Sequence, residues 1–502
     1  MNRSQNGLAP RPRTSLPRRA LLLGGVLATV AACHLTSTTD GGDARSLPNV
    51  VLILADDLGS GDLSLGDPNA HVPTPHLDAL ASEGMRLTDA HSPSAVCTPT
   101  RYGLLTGRYA WRTRLKSGVL VGTSPTLLQP GRETLASLLR RAGYATACVG
   151  KWHLGLGNED PVDFDAPLTP GPLEFGFDSF LGIPASLDMQ PYLYVRDHHP
   201  ERAATERIEG SGQRRHGGGG FWREGAIAPD FRHDQVLDRF ADESVSLVEG
   251  WSDAEQPFFL YLALSAPHTP WLPTGRFVGL SDAGPYGDFT AQVDHAVGRV
   301  LDALEATGAA ENTLVLFTSD NGAHWTAGDI ETYGHRANGA LRGQKADIHE
   351  GGHRVPFLAR WPGRVPAGVV RDDLFGLVDV VATCASLVGA ELTEHEGEDS
   401  VDQLRVLLGE DLEEPLRSEL VHHSFDGTFA LRAGRWKLIE GLGSGGFTAP
   451  RTLEPEPGGP TGQLYDLARD PAETTNLWGE HPEVVTQLTE RLEALRQAGR
   501  SR

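Results

Sequence analysis

Asn49-Val50-Val51-Leu52-Ile53-Leu54-Ala55-Asp56-Asp57 is the stretch from which the architecture can be read. Asn49–Ala55 is apolar without alternation, so the strand it predicts must be covered on both faces. Such a strand belongs in the middle of a parallel sheet, and here two carboxylates follow it at once. The pattern recurs. Tyr144–Val149 leads into Gly150-Lys151-Trp152-His153, Phe258–Leu264 into Pro267-His268, and Thr313–Thr318 into Asp320-Asn321. Helical patterns fall between these runs at Thr74–Glu83, Thr134–Ala142, Asp234–Glu249 and Phe289–Thr307, the alternation expected of βαβ units. In open α/β sheets, ligands bind beyond the carboxyl ends of the strands. Asp56, Asp57, Lys151, His153, His268, Asp320 and Asn321 should therefore converge on one edge.

The chain has 502 residues, enough for one large α/β domain and a smaller partner. The larger is read as 47–414, a mostly parallel sheet sandwiched by helices. Within it, 196–230 carries Arg, His and the run Gly217–Gly220, and is read as an irregular insertion over the site. From about 415 the texture changes. Ala430–Ile439 reads as a strand pair, Gln463–Leu467 as a short strand, Gly441–Gly462 as a loop and Pro482–Ala498 as an amphipathic helix, together a smaller α+β unit over 415–502.

Hydrophobic residues make up 39% and charged residues 22% of the chain, so a sizeable core can be buried. The formal net charge of -22 argues against nucleic acid as a partner. It also requires any anionic substrate to be held by a local positive cluster. Residues 1–32 differ: Arg11, Arg13, Arg18 and Arg19 precede the uncharged run Ala20–Ala32, which is short for a membrane span but right for an export signal. Val30-Ala31-Ala32-Cys33 resembles a bacterial lipobox, which makes Cys33 the lipidated first residue of a protein held at the periplasm or cell surface. Arg18-Arg19 resembles a twin-arginine signal. An uncleaved anchor, or an ordinary signal with an incidental Cys, is the competing reading. Residues 33–46 follow as a polar tether, and the membrane is met through the lipid alone. Cys148 and Cys384 read as buried small hydrophobes, leaving Cys97 isolated among prolines and threonines.

Asp56, Asp57, Asp320 and Asn321 form a hard-oxygen set suited to Ca²⁺, with Mg²⁺ or Mn²⁺ as alternatives. Either pair alone would more often cap a turn; two pairs at two strand ends favour metal. Cys97-Thr98-Pro99-Thr100-Arg101 reads as a helix start, with Thr98 as N-cap before Pro99. Residues 97 and 101 then lie one turn apart near the positive end of a helix dipole, a place for an anion. The plain alternative is a capped helix with a buried thiol. Lys151 and His153, two apart in an extended segment, share a face. Lys345 precedes the turn at Gly351-Gly352.

From about Pro48 to the C-terminus, the chain resembles the type I, formylglycine-dependent sulfatases (arylsulfatase-like) of the alkaline-phosphatase-like superfamily. Cys97-Thr98-Pro99-Thr100-Arg101 with Leu105-Thr106-Gly107-Arg108 fits that family's C-x-P-x-R…T-G-R pattern, which a maturase reads to convert Cys to formylglycine. Gly150-Lys151-Trp152-His153-Leu154-Gly155, Thr318-Ser319-Asp320-Asn321-Gly322 and Glu350-Gly351-Gly352-His353-Arg354-Val355-Pro356 follow in order. The resemblance implies that Asp56, Asp57, Asp320, Asn321 and modified residue 97 bind one Ca²⁺. Arg101 would steady the formylglycine, while Lys151, His268 and Lys345 would hold sulfate or the leaving oxygen. His153 would contact the hydroxyls of residue 97, and Ser186 would lie near the sulfate.

The implied chemistry is consistent with those groups. An aldehyde hydrate offers one hydroxyl to attack sulfur and a second whose deprotonation re-forms the aldehyde and expels sulfate. Cations offset the charge on the sulfonyl oxygens. His268, supported by Lys345, would protonate the leaving oxygen, and His153 would take the second hydroxyl's proton. The expected substrate is a sulfated small molecule or carbohydrate, attacked from its end, with His198, His199 and Arg223 as candidate subsite residues. Two other readings stand beside this one: a formylglycine-dependent phosphoesterase or phosphonate hydrolase of the same superfamily, and a silent glycan-binding surface lipoprotein.

Overall fold

The ten-stranded sheet at the centre of the computed structural model is ordered by the apolar runs. Its strands, numbered here along the chain, are β1 (Asn49–Asp56), β2 (Met85–Leu87), β3 (Ala145–Lys151), β4 (Ser179–Ile183), β5 (Val195–Arg196), β6 (His199–Pro200), β7 (Phe258–Pro267), β8 (Thr313–Ser319), β9 (Phe357–Arg360) and β10 (Val369–Arg371). They lie in the order β10-β2-β9-β8-β1-β7-β3-β4-β5-β6. The four runs that end in polar residues are thus adjacent, as β8-β1-β7-β3, and all parallel. Antiparallel pairs appear only toward the edges, at β8–β9, β9–β2, β4–β5 and β5–β6. The structure describes residues 47–211 and 221–502. The expected signal at 1–32, Cys33, the tether over 33–46 and the run Gly217–Gly220 lie outside them. Among the described residues, no helix is long and apolar enough to cross a membrane.

Val50–Ala55 are fully buried, so both faces of β1 are covered. One group of helices, Cys97–Thr106, Leu135–Arg141 and Val380–Leu387, packs together, and a second joins Val236–Gly250, Gly284–Ala306 and Pro75–Ser82. In Val236–Gly250 the buried residues Val236, Leu237, Phe240, Ala241, Ser244 and Val248 recur at helical spacing, which is what lets the helix lie on the sheet. Gly284–Ala306 begins five residues before the expected Phe289. Pro285 falls in the first turn, where its missing N–H costs nothing.

The C-terminal part is a four-stranded antiparallel sheet of Glu419–His423, Phe429–Ala433, Trp436–Ile439 and Gln463–Asp466, with the helix Pro482–Gln497 packed on it. The chain over 196–230 is more regular than expected. β5 and β6 form a hairpin that extends the main sheet, and Glu206–Ile208 pairs with Gly225–Ile227. This hairpin also corrects two candidate subsite residues. His198 and His199 sit at the sheet's outer edge, where His198 Nε2 meets Glu174 Oε1 at 2.8 Å.

Candidate active site

β8, β1, β7 and β3 deliver their final residues side by side. Asp56 ends β1, and Asp57 turns away from it with a positive φ of 65°. Asn321 Nδ2 donates to Asp57 Oδ1 at 2.7 Å, and the Asp57 amide donates to Asp320 Oδ1 at 3.2 Å, which ties the end of β1 to that of β8. Lys151 Nζ, at the end of β3, donates to Asp56 Oδ2 at 2.7 Å. Gly150 makes that approach feasible: its φ is 125°, and a Cβ there would lie 1.8 Å from the Ala263 carbonyl oxygen of β7. His153 does not continue the strand. Its φ is 55°, and Trp152 packs instead against Phe177 and Phe180, so the chain bends after Lys151 and the shared-face reasoning fails.

Cys97 is the first residue of the helix Cys97–Thr106, two positions earlier than expected. Val96 occupies the cap position without a side-chain bond, and Thr98 Oγ1 instead accepts from the Leu120 amide at 3.1 Å. The helix's first turn is therefore left without a side-chain cap beside residue 97. Arg101, fully buried, gives Nε and Nη2 to Asp320 Oδ2 at 3.0 and 2.8 Å and Nη1 to the Lys151 carbonyl at 2.8 Å. Lys345 Nζ meets Asp57 Oδ1 at 2.6 Å, and His268 Nε2 lies 3.8 Å from Asp57 Oδ2. One ligand atom each from Asp56, Asp57, Cys97 and His268 falls within 4.8 Å of the others. Gly322 seals the arrangement from behind: its amide donates to the Gly352 carbonyl at 3.0 Å, which gives the Glu350-Gly351-Gly352-His353 motif a packing role beneath Asn321.

Three carboxylates, of Asp56, Asp57 and Asp320, face three cations, of Arg101, Lys151 and Lys345. Burial alone would raise the Asp56 carboxyl, but Lys151 foremost, then His268 and Arg101, hold it well below the usual range. Burial and the neighbouring Asp56 push Asp320 up, in spite of Arg101. Burial pushes the Cys97 thiol up to about 11, against the pull of Lys151 and Lys345. Burial and Lys151 keep His153 well below its ordinary value, and burial and Lys345 lower His268. Each histidine has one ring nitrogen committed, His153 Nε2 to the Leu120 carbonyl at 2.8 Å and His268 Nδ1 to the Thr269 carbonyl at 2.6 Å. That leaves His153 Nδ1 without a partner. Asp56 Oδ1 and Asn321 Oδ1 are also buried with no hydrogen-bond donor. Bare buried oxygens within a carboxylate cluster fit a hard divalent cation.

A cavity of about 920 Å³ opens over Cys97, His153, Ser186, His268 and Lys345. Its walls include Val121, Asp188, Met189, Phe221, Arg223, His324, Phe425 and Phe447. Of the expected subsite residues, Arg223 lines it, whereas His198 and His199 do not. Sequence reasoning missed His324, although it stands four residues beyond Asp320 in the same strand-end loop. It also missed Asp188, two residues past Ser186. Phe425 and Phe447 carried no signal, since they come from the C-terminal part. The Gly441–Gly462 loop is held there by Asp347 Oδ1, which accepts from the Phe447 and Thr448 amides at 2.8 and 3.0 Å.

Comparison with known proteins agrees with this geometry. Residues 48–390 match the sulfatase family model. The chain is 34% identical to an N-acetylgalactosamine-6-O-sulfatase of Bacteroides thetaiotaomicron over 95% of this chain and 98% of that protein. It is 35% identical to human arylsulfatase A over 90% and 86%. A solved structure from Bacteroides thetaiotaomicron, of a protein of glycosaminoglycan metabolism, superposes with a TM-score of 0.80 at 33% identity, covering 90% of this chain and all of that one. The fold is that of the alkaline-phosphatase-like enzymes, and the chain belongs to the sulfatase family of sulfuric ester hydrolases.

Proposed function

We propose that this protein removes sulfate from the ends of sulfated carbohydrates, with residue 97 acting as a formylglycine hydrate beside one bound Ca²⁺. The observation that carries the reading is the meeting of Cys97 with Asp56, Asp57 and His268 within 4.8 Å at the floor of a cavity. Burial pushes the Cys97 thiol up to about 11, so an unconverted Cys would stay protonated at neutral pH and be a poor nucleophile. The similarity to a protein named for N-acetylgalactosamine-6-O-sulfate supports the carbohydrate class. The basic, apolar N-terminus and Cys33 support export and lipid anchoring at the periplasm or cell surface.

Asp56, Asp57, Asp320 and Asn321 would hold the ion, with residue 97 as a further ligand. Bound there, it supplies Lewis-acid stabilisation of negative charge on oxygen. Its charge would also satisfy the carboxylates now paired with Lys151 and Lys345, freeing both ammonium groups for the sulfonyl oxygens. Arg101, locked on Asp320 and the Lys151 carbonyl, fixes the distance between two strand ends and steadies the helix that bears residue 97. His153 presents its bare Nδ1 as the acceptor for the second hydroxyl's proton. His268, with Nδ1 held by Thr269, exchanges its proton through Nε2, and a bound sulfate monoanion offsets the influence of Lys345 that lowers it. Ser186, whose Oγ is buried without a partner, would donate to the ester.

Matched kinetics on a sulfated saccharide, an aryl sulfate and an aryl phosphate test the reading, together with peptide mass analysis of residue 97. The expected result is turnover fastest on sulfate esters, with residue 97 having exchanged its sulfur for an aldehyde oxygen. Faster phosphate turnover would favour a phosphoesterase. An unmodified Cys97 in the native host, without turnover, would favour a silent glycan-binding protein.

A further inference from the structure

Asp188 stands out on the cavity wall. Its side chain is 5% exposed, yet Oδ1 has no hydrogen-bond partner. The other oxygen, Oδ2, is paired with Arg223 Nη1. The pair is held by its backbone as well: the Arg223 amide donates to the Asp188 carbonyl at 3.1 Å, and the Tyr192 hydroxyl bridges the Asp188 and Arg223 carbonyls at 2.9 and 2.7 Å. A buried carboxylate oxygen left bare costs free energy unless a ligand satisfies it. Arg223 pairs with Oδ2 alone, so Oδ1 remains a bare, buried acceptor on a residue that lines the cavity. Beside it the rim is apolar, with Val121, Phe221 and Phe447 each 39% exposed or more. An acceptor set among apolar faces suits a ring with hydroxyls at its edge and C–H groups on its face.

We propose that Asp188, oriented by Arg223, is a specificity-determining residue that accepts a hydrogen bond from a ring hydroxyl or N–H of the sugar bearing the sulfate. The inference rests on the carbohydrate sulfatase reading above. It predicts discrimination against sulfate esters that lack such a donor, because a site built to bind a hydroxyl leaves a buried polar group unpaired when the hydroxyl is absent.

The test compares wild type with Asp188→Ala, Asp188→Asn and Arg223→Ala, on a hexosamine 6-sulfate, on its deoxy analogues lacking one ring hydroxyl each, and on 4-nitrophenyl sulfate. Asp188→Ala should lower kcat/KM on the sugar sulfate about 10- to 100-fold, the loss typical of a charged hydrogen bond, and change the aryl sulfate by no more than about twofold. One deoxy analogue should reproduce that loss in wild type and show no further loss in Asp188→Ala. Asp188→Asn keeps an acceptor and the shape of the side chain, so it should lose less than Ala. Arg223→Ala should fall between wild type and Asp188→Ala on the sugar. Equal losses on both esters, or a lowered Tm that accounts for them, would overturn the proposal in favour of a structural role. Wild-type activity on the sugar sulfate that survives Asp188→Ala would overturn it while leaving the carbohydrate reading intact. Wild-type activity confined to the aryl ester, or absent on both, would overturn the two together.

Discussion

Two buried clusters in this protein contain the same kinds of residue and differ in what they can do. The strand-end cluster gathers Asp56, Asp57, Asp320, Lys151, Lys345, His153 and His268. The other lies between the main body and the C-terminal sheet, where His91, His353 and His422 also bring ring nitrogens within 4.8 Å of one another. There, Lys437 Nζ meets Glu350 Oε1 at 3.0 Å, Glu473 Oε1 at 2.8 Å and His353 Nε2 at 3.0 Å. Proximity alone does not separate the two clusters, but geometry does. The rings of His353 and His422 are stacked at 3.9 Å with 14° between their planes, so no single ion can lie in both planes. Their lone pairs run side by side, and every ring nitrogen of the three except His422 Nε2 is engaged, with one another, Asp89, Lys437 or backbone carbonyls. At the strand ends, bare oxygens converge beneath an open cavity. The second cluster is read as a polar clamp joining two parts of the fold, and the first as a site.

Separating these roles by mutation should give its largest effect at residue 97. Cys97→Ala should abolish sulfate-ester turnover, by about 10⁴-fold or more, with a Tm close to wild type. Chelation, or Asp320→Asn, should come next: activity lost to a chelator and restored by Ca²⁺, with about one ion per chain by elemental analysis. His353→Ala and His422→Ala should leave that stoichiometry unchanged; a second ion that disappears in these variants would break the comparison. Lys437→Met acts on stability instead. It strands two buried carboxylates and should cost about 3–5 kcal/mol in denaturant unfolding, while metal content per folded chain stays the same.

The smallest effect concerns pH. Burial would raise the Asp89 carboxyl, but the hydrogen bond and charge of His91, then Arg354 and Arg432, bring it down to about 2. A carboxyl depressed on folding contributes stability that is present above its unfolded value of 3.8 and is lost as pH falls through about 2. Asp89→Asn should therefore remove on the order of 2 kcal/mol near neutral pH, with the gap to wild type closing between about pH 4 and pH 2 in urea titrations.

The strand-end cluster was legible because each of its central strands is apolar on both faces and stops on a charged or polar residue. Parallel neighbours then place those ends together whatever the connecting chain does. Other features depended on packing between distant segments. His198 and His199 looked like loop residues, but Arg196 and His199 pair across a hairpin that fixes them at the sheet's edge. Phe425 and Phe447 reach the cavity from beyond residue 415, their amides held by the Ala346 carbonyl and by Asp347, which no local pattern signals. Thr98 has the side chain of a cap, but the chain enters the helix two residues sooner, and its hydroxyl accepts from the Leu120 amide instead. Asp188 is a single carboxylate in a polar stretch, and only its bare oxygen sets it apart.

Cys97 is 2% exposed, on the first turn of a helix whose residues are all buried. A small ester can reach its side chain through the cavity, but another protein cannot grasp the surrounding chain once the helix has formed. On the proposed chemistry, conversion and folding therefore run as a race. A molecule that folds first keeps its thiol and, short of unfolding, stays inert. Two preparations with indistinguishable structure and stability would then differ in specific activity by the fraction that won. That fraction would record conditions during synthesis.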